Sequence, residues 1–205
     1  MADFNIAQKL VSKAEGGYSN DPKDRGNWTS GIIGVGENIG TNFGISAPTL
    51  VAELKRLGGN PPTASTMKNL EYVSALAIYE RNYWNPIKGD QIKSQKLSNM
   101  IYDMGVNMGV GAARKAVKDS LGISTYDVSK INEANSNKLF NDIGKIREEK
   151  YKSLGGYALN SWLDRLKNLG YSGAGIIKSN PMKTIAVIIG LSAAVYGIIM
   201  YINKK

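Results

Sequence analysis

Glu15, in the stretch KAEGGYSNDPKD (residues 13–24), closes an amphipathic run and is followed by two glycines, then by Asp21 and Asp24. A carboxylate at a helix C-terminus faces the negative end of the helix dipole, which opposes its ionised form. Partial burial pushes the same way, and the result is a proton donor suited to work near neutral pH. Asp24 follows nine residues later, in a loop able to fold back across the helix end. Two carboxylates in one cleft, one protonated and one ionised, are the working parts of glycosidic bond cleavage. Asp21 competes for the second role, although an aspartate ahead of Pro22 is also a common turn former. In TNFGIS (residues 41–46) Thr41 and Asn42 offer a hydroxyl and an amide. They serve either to hold a water or a sugar substituent, or to complete a hairpin.

What the chain lacks narrows the chemistry further. Its 205 residues include no Cys and no His. That excludes a disulfide, a thiol nucleophile, a Ser-His-Asp triad and a thiolate or imidazole zinc site. Acid–base work by Glu and Asp is the leading class that survives. Asn20, Asp21 and Asp24 do not fit the spacing of a calcium loop, so no metal is expected. Gly34, Gly36 and Gly40 lack the G-K-[ST] of a phosphate loop, and no cofactor is expected either. With 26 basic against 17 acidic residues the net charge is +9. The charge is scattered, without a dense Lys/Arg block or a nucleic-acid motif, which points away from nucleic acid and towards an anionic wall or membrane.

The elements that must position these residues read as mostly helical. Ile6, Leu10, Val11 and Ala14 share one helix face that ends at Gly16-Gly17. Residues 18–46, rich in Gly, Asn, Asp and Thr, suit loop and short strands. Ser46 caps the next helix, with Pro48 in its first turn and Gly58-Gly59 at its end. Met67, Leu70, Val73 and Ala77 predict a helix that runs on into IYERNYW. Further helices are predicted near 96–108, 110–121, 127–152 and 159–169. Asp103 and Asn107, four apart, lie on one helix face and either line a groove or stitch helices together. Met100, Met104 and Met108 are expected in the core, and Tyr79, Tyr83 and Trp84 either stack on sugar rings or, as is usual for aromatic residues at helical spacing, belong to the core.

The C-terminus differs from everything before it. Thr184–Ile202 is a run of 19 residues without a charge, between Lys183 and the pair Lys204 and Lys205. Such a helix spans the hydrocarbon core of a bilayer, and no polar stripe is left to face water. Residues 170–183 read as a flexible linker. MADFNIAQKL has no basic region followed by an apolar core, so no secretory leader is read there. The simplest insertion therefore leaves the large domain on the side where it was made.

Taken in order, EGGYSNDPKDRGNWT, TNFGIS, AIYERNYW and IYDMGVNMGVGAA resemble the successive signatures of glycoside hydrolase family 108. The resemblance covers roughly residues 5–120 and continues weakly through IREEKYKSL and WLDRLKNL. It implies a lysozyme-like N-acetylmuramidase of phages and bacteria, with Glu15, the glutamate of E-G-G-Y, as the catalytic acid. The spacing of Glu15, Asp24 and a Thr-x-x-Gly-Ile element is also similar to the Glu/Asp/Thr triad of phage lysozymes, which implies Thr41 as the third member. Tyr18, Asp21, Asn42, Asp103 and Asn107 are the candidates for binding substrate. One departure is an apparent insertion, SGIIGVGENIG (Ser30–Gly40), which leaves Thr29 as a rival for the place of Thr41 and adds Glu37 as an acidic candidate.

The expected architecture is therefore mainly α. A lysozyme-like helical domain over residues 1–169 carries a small β-hairpin or loop region, and one transmembrane helix follows at 184–202. The expected activity is cleavage of the β-1,4 bond between N-acetylmuramic acid and N-acetylglucosamine in bacterial peptidoglycan. The expected setting is a phage virion with an internal membrane and other virion proteins, or a bacterial inner membrane beside a secretion machine. A lytic transglycosylase, which needs only the glutamate, and a non-catalytic wall-binding or structural membrane protein remain as alternatives.

Overall fold

The computed structural model describes residues 1–12, 17–156 and 158–173. Among them two compact units separate: residues 1–11 with 80–173, and residues between 12 and 79. The predicted transmembrane segment Thr184–Ile202 lies outside the described residues. Among those described, no helix is long and apolar enough to cross a membrane.

In the smaller unit, α2 (Ala47–Arg56) begins after Ser46, with Pro48 in its first turn. Ser46 does not cap it in the usual way, because its hydroxyl is shared with that of Thr49 at 2.9 Å. The helix predicted around Met67–Trp84 is two helices, α3 (Ala64–Lys68) and α4 (Tyr72–Tyr79). Asn69 ends α3: its backbone N–H returns to the Ser65 carbonyl at 3.0 Å and its side-chain amide to the Ser65 hydroxyl at 3.3 Å. A short polar side chain of this kind competes with the helix for backbone partners. The core of the unit is Ile39, Ile45, Leu50, Met67, Ile78 and Tyr79.

The expected strands of residues 18–46 do not form a ladder. Among the described residues there are only three isolated antiparallel bridges: Ser19 with Thr41, Trp28 with Asn38, and Asn42 with Ile45. The cause is local. Gly31, Gly34, Gly36, Gly40 and Gly44 all take positive φ, and extended pairing cannot run through such positions.

In the larger unit, α1 (Phe4–Ser12) and a π-helical turn, Glu80–Trp84, accompany five further helices. These are α5 (Gln95–Met108), α6 (Val110–Leu121), α7 (Val128–Glu133), α8 (Ser136–Leu154) and α9 (Leu159–Asn168). The stretch predicted as one helix over 127–152 breaks at Ala134 because Asn135 caps α8, accepting from the Lys138 N–H at 3.0 Å. Helix α5 is the axle: every residue from Met100 to Asn107 is buried. Tyr102 meets Phe4 and Trp84 edge-on, and Phe4 and Trp84 meet at a tilt, with centroids 5.5–5.9 Å apart; edge-on pairs are favoured by the ring quadrupoles. Met100 and Met104 are buried with them, as expected of core methionines, whereas Met108, in the last turn of α5, is only half-buried.

Asp103 and Asn107 take the helix-stitching contacts. The Asp103 carboxylate accepts from the Arg147 guanidinium of α8 at 2.6 Å and from Arg165 Nε of α9 at 2.8 Å. Arg147 also donates to the Tyr151 hydroxyl at 2.9 Å, which in turn donates to Asn107 at 2.6 Å. Burial works against the Arg147 charge, but Tyr151 and Asp103 outweigh it and hold its pKa above the ordinary value. A buried ion is tolerable only with its partners in place, and stripping one away typically costs about 3–5 kcal/mol. Asp103→Ala should therefore destabilise the protein by about that amount, read as a drop in the urea midpoint at unchanged m value.

Two buried tyrosines set the alkaline limit. The Tyr171 hydroxyl donates to Glu148 at 3.0 Å, and burial together with that carboxylate pushes its pKa up to about 12 from 10.0. Burial raises Tyr126 as well, its hydroxyl donating to the Ile87 carbonyl at 2.8 Å. A raised folded pKa contributes stability that is complete below pH 10 and is lost as pH climbs towards about 12. Denaturant unfolding followed across that window should show the decline, and Tyr171→Phe should flatten part of it.

Candidate active site

Glu15 lies outside the described residues. The site is therefore built from the chain that follows it. Tyr18 leads into Ser19, which exchanges two backbone hydrogen bonds with Thr41 at 2.8 and 2.7 Å. That pairing brings Thr41 against the segment that starts two residues after Glu15. It demands a glycine at position 40, where φ is +87° and a Cβ would fall 2.6 Å from the Tyr18 ring and 2.7 Å from the Ser19 carbonyl. The Tyr18 hydroxyl donates to the Ile39 carbonyl at 3.4 Å.

Asp24 is half-buried and caps a short 3-10 turn, Arg25–Asn27. Its Oδ1 accepts from the Gly26 N–H at 2.8 Å, and the Gly26 carbonyl accepts from the Thr41 hydroxyl at 3.3 Å. Asp24 and Thr41 thus meet on the two faces of one small residue. Asn42, next along, is buried and donates its amide to the carbonyls of Met67 and Lys68 at 3.0 and 3.2 Å, fastening the loop to α3.

Asp21 is exposed and makes a local turn: its Oδ1 accepts from the Lys23 N–H at 2.9 Å, and its carbonyl accepts from the Asp24 N–H at 3.0 Å. Glu37 is exposed, at the base of the insertion. There the Thr29 hydroxyl accepts from the Glu37 N–H at 3.0 Å, so Thr29 is occupied in closing that loop. Asp103 and Asn107 belong to the interior of the larger unit, as described above.

Asn27 was not among the residues singled out from sequence. It is buried, and its carbonyl accepts from the N–H groups of both Ile39 and Gly40, at 2.9 and 3.1 Å. Its side-chain amide donates to the Asp21 carbonyl at 3.0 Å, while its Oδ1 has no partner among the described residues. Asn27 joins the Asp21–Asp24 turn to the strand-like approach of Thr41. The signal was an asparagine straight after a D-x-G turn, a residue type that bonds readily to nearby backbone.

This geometry can be compared with known proteins. Residues 8–109 match the family model for glycosyl hydrolase 108. Among solved structures, Brucella abortus SagA is similar, with a TM-score of 0.63 and 25% sequence identity over 81% of this chain and 90% of that chain. No curated protein matches the sequence. The matched stretch holds Tyr18, Asp24, Thr41 and Asn42 together with Glu15, and the chain is a glycoside hydrolase.

Proposed function

We propose that the chain is a membrane-anchored peptidoglycan hydrolase that cuts the β-1,4 bond between N-acetylmuramic acid and N-acetylglucosamine. The setting we propose is a phage virion with an internal membrane, where the enzyme opens the wall locally during genome delivery and the Thr184–Ile202 tail keeps it from spreading. The family match supports the substrate class, and the uncharged tail supports the anchor.

One observation carries the choice of site residues: Asp24 and Thr41 are joined through Gly26, and Thr41 is paired beside the segment that follows Glu15. Thr41 is favoured over Thr29 because its hydroxyl meets the Gly26 carbonyl beside the Asp24 cap, whereas the Thr29 hydroxyl sits at the neck of the insertion against the Glu37 N–H. In this reading Glu15 gives its proton to the glycosidic oxygen as the bond to the anomeric carbon breaks. The Asp24 carboxylate either offsets the positive charge that develops on the sugar or takes a proton from the attacking water. Tyr18 is the residue placed to contact substrate, Asn42 holds the loop to α3, and Asp21 and Glu37 stand outside the reacting pair.

Digestion of purified sacculi by single variants tests this. Glu15→Gln should lower the rate by about 10²-fold or more, the scale of a lost general acid. Asp24→Asn keeps an acceptor for the Gly26 N–H while removing the charge, so a comparable loss there isolates the charge from the cap. Thr41→Val should cost about tenfold or more and Thr29→Val much less. Mass spectrometry of the released fragments should find reducing ends. Anhydro ends would make the enzyme a lytic transglycosylase, and fragment release undiminished by Glu15→Gln would remove the glutamate from the chemistry.

A further inference from the structure

The insertion that separates Thr29 from Thr41 is a built finger. Its neck is closed by the Trp28–Asn38 bridge and by the Thr29 N–H donating to the Glu37 carbonyl at 2.9 Å. Its tip turns three aliphatic side chains outward: Ile32 is 58% exposed, Ile33 49% and Val35 51%. No charged residue occurs from Trp28 to Gly36.

Exposed aliphatic residues alone are ordinary. Here, however, the backbone on both sides of the apex is paired, whereas the peptide groups of Ile33 and Gly34, at the apex, find no partner among the described residues. The Ser30 hydroxyl accepts from the Ile32 N–H at 3.1 Å and donates to the Val35 carbonyl at 2.7 Å. The Val35 N–H donates to the Ile32 carbonyl at 3.1 Å. The Gly31 N–H reaches the Trp28 carbonyl at 2.8 Å, and the Gly31 carbonyl accepts from Arg25 Nε at 2.9 Å. Both backbone groups of Gly31, Ile32 and Val35 are thus satisfied within the protein. Such pairing lowers the cost of bringing the segment to a bilayer surface, where the apex peptide groups still meet water and headgroups. Glycan, all hydroxyls and acetamides, gains little from three aliphatic side chains.

We infer that the Ile32–Ile33–Val35 tip is a second membrane contact, resting in the headgroup–acyl boundary of a bilayer. The inference rests on the membrane-anchored reading. The same chain carries an uncharged 19-residue segment, and the ten residues from 174 to 183 that precede it extend to about 35 Å at most. A bilayer is then never far from the domain. With the tail as tether, a shallow aliphatic contact needs only modest affinity of its own to be occupied.

The absence of cysteine gives a clean test, because Val35→Cys and Lys115→Cys each create a single thiol in the full chain. Lys115 is an exposed residue of α6 and serves as the comparison. Both proteins, labelled with bimane, are reconstituted in phosphatidylethanolamine–phosphatidylglycerol vesicles containing doxyl-labelled lipid. Quenching at position 35 should exceed that at 115 by about twofold or more, as expected of a group held at the boundary. Adding Ile32→Ser and Ile33→Ser should bring it down towards the value at 115. Flotation with the vesicles but equal quenching at the two positions overturns the tip contact and leaves the anchor standing. Failure to float overturns both. A blue shift at position 35 that follows the protein-to-lipid ratio without doxyl quenching assigns the tip to a second copy of the chain instead.

Discussion

The backbone of Gly26 is the constraint on which the candidate site depends. Its N–H fixes the Asp24 carboxylate and its carbonyl fixes the Thr41 hydroxyl, so two side chains 17 residues apart share one rigid spacer. Neither contact tolerates drift in the loop, and the surrounding bonds prevent it: Ser19 pairs with Thr41 and Asn42 is fastened to the end of α3. Catalysis by positioned groups requires this kind of stiffness, since small displacements are expensive in rate. A loop otherwise rich in glycine acquires it through cross-links between its own backbone and a few amide side chains.

The larger unit solves a different problem. Burying Asp103 with Arg147 and Arg165 places three charged groups where a domain would ordinarily put hydrocarbon. Such networks are poor sources of net stability, but they are unforgiving of misalignment. They fix one face of α5, at Asp103, against side chains of both α8 and α9, and the stacking of Tyr151 on Trp162 at 5.3 Å completes the same junction.

Much of this was legible from the sequence, because the helices announce themselves through period and caps. Pro48, Gly58 and the apolar spacing of α5 and α6 placed those elements within a residue or two. What escaped notice was decided by single asparagines. Asn69 and Asn135 break predicted continuous helices by offering their side chains to the backbone, and periodicity is blind to that choice. The hairpin reduced to bridges because the same glycines that mark a turn also forbid a ladder. In the site, Asp24 and Thr41 were visible as residue types at suggestive spacing. The role of Asn27 was not, since it depends on which carbonyl faces two distant N–H groups. Asp103 and Asn107 show the limit of face-sharing arguments: spacing identifies a common face, and only the partners across it reveal that two arginines and a tyrosine wait there.

The closed neck of the finger has a consequence for how such a chain changes over time. Since Thr29 and Glu37 are already hydrogen-bonded neighbours, residues between them form a cassette with coincident ends. Lengthening, shortening or exchanging that cassette keeps the Trp28–Asn38 bridge closed, and the cassette is tied back to the turn that carries Gly26 by the Arg25 side chain on the Gly31 carbonyl. A change in what the tip touches is thereby separable from a change in Asp24 and Thr41.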